Sequence, residues 1–177
     1  MERKVILFIA MSLDGYIATK ENSIDFLSMV ELEGEDYGYA DFVKSVDTVI
    51  IGRKTFDKVL SMGFEYPHAD KDVFIMTRTE RPAIGRFNFH TGDLSLLVQG
   101  LKGQAGKNIY CDGGSEIVNE LMKNSLVDEF IISIIPVLLG DGIRLFKDGR
   151  PMHELKLVST RQFTSGLTQL HYMLANN

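Results

Sequence analysis

The sequence predicts one α/β domain over residues 1–177, a three-layer α/β/α arrangement whose central sheet is mostly parallel with antiparallel strands at its C-terminal edge. Strand-like apolar runs alternate with helix-like segments along most of the chain, which is typical of βαβ units. The C-terminal part instead holds two strand-like runs around Thr164-Ser165-Gly166, which is typical of a β-hairpin. A length of 177 residues suits one core better than two.

Hydrophobic periodicity predicts the elements of the first half. An apolar run near the N-terminus ends at Asp14-Gly15, a turn signal, and therefore indicates a buried strand. Tyr39, Phe42 and Val43 share one face at helical spacing, which predicts an amphipathic helix. In order, the predicted elements are a strand (4–11), a long loop (12–34), a helix (35–46), a strand (47–51), a helix (53–60) and two strands (72–77 and 86–90).

The second half continues the alternation and then changes. Asp93 precedes an apolar segment, and a carboxylate is favourable at a helix N-terminus. Leu170, Tyr172 and Leu174 alternate with polar residues, which indicates a half-buried strand. The predicted elements are a helix (94–101), a strand (108–112), a helix (115–123), a long apolar strand (127–137) and the two strands of the hairpin (155–163 and 167–174).

Composition excludes several classes of function. The net charge is −5, whereas proteins that wrap duplex nucleic acid carry basic surfaces, so we expect no nucleic-acid partner. No segment reaches the length of a membrane span, and the apolar run at 5–13 lacks the cleavage site of a signal peptide, so we expect no membrane partner. Cys111 is the only cysteine, which favours a reducing compartment such as the cytoplasm. The four histidines lack ligand spacing, so no metal site is expected.

Glycines stand at two strand-to-helix junctions, at Gly52 and at Gly113-Gly114. Glycine lets backbone approach a ligand closely, and the N–H groups of a helix N-terminus attract anions. Because ligands of parallel sheets bind outside the carboxyl ends of the strands, the two junctions could hold two phosphates of one dinucleotide. The chain has no G-x-G-x-x-G motif, so such a site would not be of the Rossmann type.

Arg53, Lys54 and Thr55 follow the first junction and add two cations and a hydroxyl. These groups suit a further phosphate monoester, such as the 2′-phosphate of NADPH. The alternative is that Gly52 makes only a tight turn and that both cations are solvated. Local sequence favours neither interpretation.

Taken in order, several motifs resemble the dihydrofolate reductase superfamily, most closely the branch with the reductase domain of bifunctional riboflavin-biosynthesis enzymes. Each motif is weak alone, but together they span nearly the whole chain. They are Ala10-Met11-Ser12-Leu13-Asp14-Gly15-Tyr16-Ile17-Ala18, Ile24-Asp25-Phe26-Leu27, Gly52-Arg53-Lys54-Thr55, Phe74-Ile75-Met76-Thr77-Arg78-Thr79, Gly113-Gly114, Leu126-Val127-Asp128-Glu129 and Ile135-Pro136-Val137-Leu138-Leu139-Gly140-Asp141-Gly142.

The resemblance implies a dihydrofolate-reductase-like fold and an NADPH-dependent reductase of a small heterocyclic substrate, similar to 5-amino-6-(5-phosphoribosylamino)uracil reductase. It also implies a homodimer. The cofactor-binding residues that it implies are Gly52, Arg53, Lys54 and Thr55 for the adenosine-side phosphates, Thr77, Arg78 and Thr79 near the 2′-phosphate, Gly113, Gly114, Ser115 and Glu116 for the pyrophosphate and nicotinamide region, and Ala10 and Ile17 along the nicotinamide.

For the substrate, the resemblance implies Asp14 at the mouth of the site, where it is also the catalytic candidate. An Asp before Gly marks turns on structural grounds alone, so a turn residue is the alternative. Asp25 could position a substrate amine or cap a helical turn. A heterocycle would lie between the Asp14 loop and the helix face of Tyr39 and Phe42. Asp112 stands where riboflavin-branch relatives have Glu, which makes it a further substrate-binding candidate.

The chain departs from dihydrofolate reductases proper at one position. They carry an acid four residues before a helix Phe, and here Gly38 stands four residues before Phe42. Glu35 and Asp36 are nearby, but first-turn acids also suit a helix dipole. Folate reduction therefore remains an alternative activity, and a non-catalytic nucleotide-binding protein is an alternative from another class.

Overall fold

The computed structural model describes residues 2–63 and 65–175. The strands are β1 (Val5–Ser12), β2 (Tyr16–Ala18), β3 (Val46–Gly52), β4 (Asp72–Met76), β5 (Phe87–His90), β6 (Asn108–Gly113), β7 (Glu129–Ile135), β8 (Ile143–Arg144), β9 (Leu155–Gln162) and β10 (Thr168–Leu174). The helices are α1 (Tyr39–Lys44), α2 (Arg53–Ser61), α3 (Leu94–Lys102) and α4 (Ser115–Lys123), with a 3-10 helix over Asp25–Val30.

A large sheet runs in the order β5-β4-β3-β6-β1-β7-β10-β9. The pairs from β5 to β7 are parallel. The C-terminal strand β10 pairs antiparallel with β7 and with β9. The predicted sheet, mostly parallel with an antiparallel hairpin at its edge, is therefore confirmed.

Helices cover both faces of this sheet, because alternate residues of a strand point to opposite sides. Leu7 of β1 belongs to a buried cluster with Val98 of α3. Its neighbour Ile6 belongs to a second cluster with Phe42 of α1 and Phe56 of α2. The α3 and α4 layer and the α1 and α2 layer thus enclose the sheet, as the predicted three-layer arrangement requires.

The prediction of a helix at 35–46 is wrong at both ends, because the observed helix α1 is shorter. Tyr37 and Gly38 have φ angles of 58° and 81°, which a right-handed helix does not accommodate, so α1 begins only at Tyr39. Val46 opens β3 instead of closing the helix. The apparent helical periodicity mixed a short helix with the first residue of the next strand.

The loop predicted at 12–34 is also wrong in part, because it contains β2 and the 3-10 helix. Strand β2 pairs with β8, a two-residue strand that local sequence did not indicate. The long strand predicted at 127–137 is shorter, and β7 ends before Pro136, which has no N–H to donate. By contrast, Asp93 caps α3, and its carboxylate accepts the Leu96 N–H at 2.9 Å.

No helix within the described residues is long and apolar enough to cross a membrane. Over the same residues, no group of three or more His, Cys, Asp or Glu side chains could hold a metal ion. Cys111 is buried, and burial raises the pKa of its thiol to about 12.

Candidate functional site

The two glycine junctions lie side by side at the carboxyl edge of the sheet. Strands β3 and β6 are neighbours, and Ile51 pairs with Gly113. A Cβ built on Gly52 would lie 3.2 Å from the Ile117 side chain and 3.7 Å from the Gly113 carbonyl oxygen. A Cβ built on Gly114 would lie 2.7 Å from Thr55 Oγ1. The missing side chains therefore allow α2 and α4 to begin in close contact.

Backbone conformation at the second junction also depends on glycine. Gly113 has a φ of 98°, in the left-handed region that favours glycine, and its peptide bond with Gly114 is cis. Ser115 is the buried first residue of α4. Glu116 is exposed and pairs with Lys147, whose hydrogen bond is the largest cause that lowers the pKa of this carboxylate. Lys147 is a cation near this junction that sequence reasoning missed.

A second feature of this edge is a pocket of about 570 Å³ beyond β4 and β5. The guanidinium carbons of Arg53 and Arg81 lie 5.8 and 5.9 Å from the centre of the Phe89 ring. His90 contributes a buried Nε2 atom that lacks a hydrogen-bond partner within the described part of the chain. The pocket is lined by Glu80, Arg81, Pro82, Phe89, His90, Thr91 and Gly92.

The residues predicted to bind the cofactor lie partly at the glycine junctions and partly near the pocket beyond β4 and β5. Thr77 follows β4, donates its N–H to the His90 carbonyl at 3.0 Å, and accepts the Thr79 N–H at 3.2 Å through its hydroxyl. Arg78 and Lys54 are exposed. The Arg53 Nε lies 2.7 Å from each Asp57 carboxylate oxygen. Sequence reasoning missed Arg81, Phe89 and His90; only Phe89 and His90 stand at the carboxyl end of a strand, β5.

A larger cleft of about 660 Å³ lies over β1 and β7. Its apolar lining comes from the sheet, the 3-10 helix and the residue before β10: Phe8, Ala10, Leu27, Val30, Ile135 and Leu167. Tyr39 and Ser133 add hydroxyl groups, and Ser133 accepts a hydrogen bond from the Gln169 amide at 3.1 Å. The cleft therefore offers an apolar surface with polar groups at a few points, as sites for small molecules commonly do.

A polar cluster borders this cleft on the side of β6. The Tyr39 hydroxyl and His68 Nε2 share a hydrogen bond of 2.8 Å, and His68 is only 2% exposed. Tyr66 donates to Asp112 at 2.5 Å. Burial, assisted by the nearby Asp112, raises the pKa of Tyr39 to about 12. Burial lowers the pKa of His68, so at neutral pH both groups are uncharged.

The cluster contains residues that sequence reasoning missed. His68 and Tyr66 lie in a segment without periodicity before β4, and nothing local places them near α1 or β6. Among the substrate candidates, Tyr39 lines the cleft and Asp112 lies in this cluster. Phe42 is only 7% exposed and stacks on Phe8 at 4.6 Å between ring centres, beneath the cleft surface.

Asp14 organises the loops that follow β1 and β7. Its carboxylate accepts hydrogen bonds from the Ser12 hydroxyl at 2.6 Å and from the N–H groups of Leu139 and Gly140 at 3.1 and 2.7 Å. The Ser12 hydroxyl is the largest cause that lowers the pKa of Asp14. These contacts match the turn interpretation, and Asp14 is ionised at neutral pH. Asp25 is exposed in the first turn of the 3-10 helix.

The two residues expected along the nicotinamide lie in different environments. Ala10 lines the cleft and packs with the cluster around Ile135, whereas Ile17 packs on the opposite face of the sheet with the cluster around Leu7. Ala10 and Ile17 therefore lie on opposite faces of the sheet.

Comparisons with known proteins agree with this architecture. The family model described as the RibD C-terminal domain matches residues 3–169. The protein YwjB of Bacillus subtilis (strain 168) is 43% identical over 176 residues, which cover 99% of this chain and all of YwjB.

Two solved structures extend the comparison. A putative riboflavin biosynthesis protein from Shewanella sp. PV-4 has a TM-score of 0.89 at 30% identity, over 99% of this chain and 100% of that one. A diaminohydroxyphosphoribosylaminopyrimidine deaminase/5-amino-6-(5-phosphoribosylamino)uracil reductase from Thermotoga maritima has a TM-score of 0.73 at 16% identity, over 98% of this chain and 57% of that one. The fold is therefore the dihydrofolate-reductase-like fold that the motifs indicated.

Proposed function

This chain belongs to the RibD C-terminal domain family, and from that premise we propose that it is an NADPH-dependent reductase of a small heterocyclic substrate. The juxtaposition of Gly52 with Gly113 and Gly114 at one edge of the sheet carries the proposal. Two helix N-termini begin there, and the glycines leave backbone exposed at the start of each, which suits a dinucleotide whose phosphates need close backbone approach.

The residues present fit a cofactor with a further phosphate. Arg53 and Arg81 lie near the Phe89 ring, and Arg81 and Phe89 line the pocket together with His90, whose buried Nε2 has no described partner. Guanidinium groups bind phosphates well, and an aromatic ring offers a surface for a purine. We propose that this pocket holds the phosphorylated adenosine end, with Thr77, Arg78 and Thr79 at its border and Ser115 and Glu116 at the pyrophosphate end.

The bound cofactor would supply the hydride, and the protein would supply binding, orientation and exclusion of water. The apolar lining around Ala10 would pack on a flat ring and keep water from it. The hydroxyls of Tyr39 and Ser133 would hold the polar edge of that ring. Asp14, as a carboxylate, would order the loops that follow β1 and β7 through Leu139 and Gly140 and accept hydrogen bonds from a substrate there.

Calorimetric titration of NADPH and NADH tests the cofactor proposal. Arg53→Ala should weaken NADPH binding about ten- to a hundredfold, toward the NADH value, since one charge-assisted contact contributes about 1.5–3 kcal/mol. Arg86→Ala is the matched control, because Arg86 pairs with Asp72 at 3.0 Å at the amino ends of β4 and β5. Absence of NADPH binding to the parent protein would refute the proposal.

Folate reduction is the alternative activity within the same fold. The acids nearest to the folate position, Glu35 and Asp36, are exposed and accept hydrogen bonds from the backbone of Tyr37, Gly38 and Ala40. These two carboxylates hold the turn before α1 and are not part of the apolar lining of the cleft. Turnover of dihydrofolate with NADPH measures this alternative, and cofactor binding without turnover of any heterocycle would favour a nucleotide-binding protein. We further propose a homodimer, as the resemblance implies, and a cytoplasmic location, which the single cysteine favours.

A further inference from the structure

The mouth of the cleft over β1 and β7 is strongly acidic. Four of its lining residues carry carboxylates, and all four are exposed on the segment that leads from the 3-10 helix to α1: Glu31, Glu33, Glu35 and Asp36. Among residues 2–63 and 65–175, no lysine or arginine lines this cleft. The charge of the mouth therefore bears on which substrates can enter it.

These carboxylates differ in their local contacts. Asp36 accepts the N–H groups of Gly38 and Ala40, and the charge of Arg161 is one of the influences that lower its pKa. Glu31, Glu33 and Glu35 form no ion pair with any residue that the structure describes. Counting only the three glutamates, which have no such ion pair, about three negative charges remain at the mouth.

Cations lie instead near the glycine junction and near the pocket beyond β4 and β5. Arg53 and Arg81 lie over Phe89, and Lys147 pairs with Glu116 beside the glycine junction. Arg53 and Lys147 are already paired with Asp57 and Glu116. Positive groups nevertheless lie where the cofactor phosphates are proposed, and negative groups without ion pairs lie where the substrate is proposed to enter. A phosphate carries a charge of about −1.5 to −2 at pH 7, so the two ends should select oppositely for it.

We infer that the cleft takes a planar heterocycle without a phosphate group, either neutral or cationic, in contrast to the phosphoribosyl compound in the name of the Thermotoga maritima protein. The inference rests on the proposed function and specifies the substrate class of the same cleft. The apolar lining would receive the ring, and the carboxylates of the mouth would accept hydrogen bonds from amino or hydroxyl groups at its edge.

The expected discrimination follows from Coulomb's law with screening. For a phosphate about 8 Å from three net carboxylate charges, repulsion in water corresponds to about fivefold weaker binding at 0.15 M salt. At 0.01 M salt the Debye length is longer, and the same repulsion corresponds to about thirtyfold. A dependence on salt of this sign separates charge repulsion from a steric effect of the added group.

A matched pair of ligands tests the inference: 5-amino-6-(ribosylamino)uracil and its 5′-phosphate, each titrated with and without saturating NADPH. The parent protein should bind the unphosphorylated compound more tightly by the factors above. In the variant Glu31→Gln, Glu33→Gln, Glu35→Gln the preference should fall to about onefold, because the net charge of the mouth is removed. Asp36 is retained because it accepts two backbone N–H groups of the turn before α1, whereas a glutamine at position 35 can still accept the single Tyr37 N–H.

The control variant is Glu2→Gln, Glu120→Gln, Glu154→Gln, which changes the net charge equally at exposed positions outside the cleft. It should keep the parental preference, and both triple variants should bind NADPH as the parent does. Equal or tighter binding of the phosphate, or no binding of either compound, overturns the inference. Failure of NADPH alone to bind refutes the proposed function, while the titrations without cofactor still decide the charge preference.

Discussion

Substitution of Gly114 by alanine probes the contact between the two junctions. The new Cβ would lie 2.7 Å from Thr55 Oγ1, whereas ordinary contacts of a Cβ begin near 3.4 Å. To relieve this overlap of about 0.7 Å, Thr55 must leave its rotamer or α2 must move away from α4. Either change typically costs about 1–3 kcal/mol. We therefore expect Gly114→Ala to lower the free energy of unfolding in urea by this amount.

A double-mutant cycle separates this contact from other effects. Thr55→Ala removes the obstructing oxygen, so the double variant should recover about 1–2 kcal/mol relative to the sum of the single changes. Gly100→Ala is the matched control, because its Cβ meets nothing within 4 Å and the position lies inside α3. It should stabilise the protein by about 0.5–1 kcal/mol. Additive energies in the cycle, or a Gly114→Ala variant as stable as the parent, would refute the proximity of the junctions.

Three further predictions follow from local contacts. Gly142→Ala should cost about 2–4 kcal/mol in thermal unfolding, since its φ is 143° and its Cβ would overlap the Ala18 carbonyl oxygen; Gly140→Ala, with open space around it, should cost clearly less. Tyr39→Phe should lower the free energy of unfolding in urea by about 1–3 kcal/mol, because it leaves the buried His68 Nε2 without its partner; an unchanged value would contradict the hydrogen bond. Ser12→Ala removes the largest cause of the lowered pKa of Asp14, so an NMR titration should find that pKa closer to its ordinary value. Since the folded-state pKa is lowered, the stability that Asp14 contributes is present above its unfolded-state pKa and is lost as pH falls through the folded-state pKa; in the variant this contribution should be smaller, and its loss should be complete at a higher pH.

Much of the fold could be predicted because its signals are local. The residues at 115–123 have a helical pattern and form α4 with those bounds. The alternation around Leu170 and Tyr172 indicated a strand, and β10 pairs as predicted with β9. The helix predicted at 35–46 failed because of a backbone torsion: the positive φ of Tyr37 prevents α1 from beginning before Tyr39.

The candidate site could be predicted only in part. Gly52 and Gly113 were identifiable because each glycine directly follows an apolar strand. Arg81, Phe89 and His90 gave no motif. Phe89 comes near Arg53 only because β5 lies next to β4, which in turn lies next to β3 in the sheet. The order of parallel strands depends on crossover connections, which hydrophobic periodicity does not encode.

The sequence by itself determined the layered α/β class, the hairpin at the C-terminal edge and the two strand-to-helix junctions that need glycine. Only the tertiary structure decided that Tyr66 donates to Asp112, that His68 bonds Tyr39, and that Asp14 holds Leu139 and Gly140. The physical reason is that periodicity and turn propensity act between neighbours along the chain. A hydrogen bond between distant residues instead requires the register of several strands and the packing of two layers to be established first.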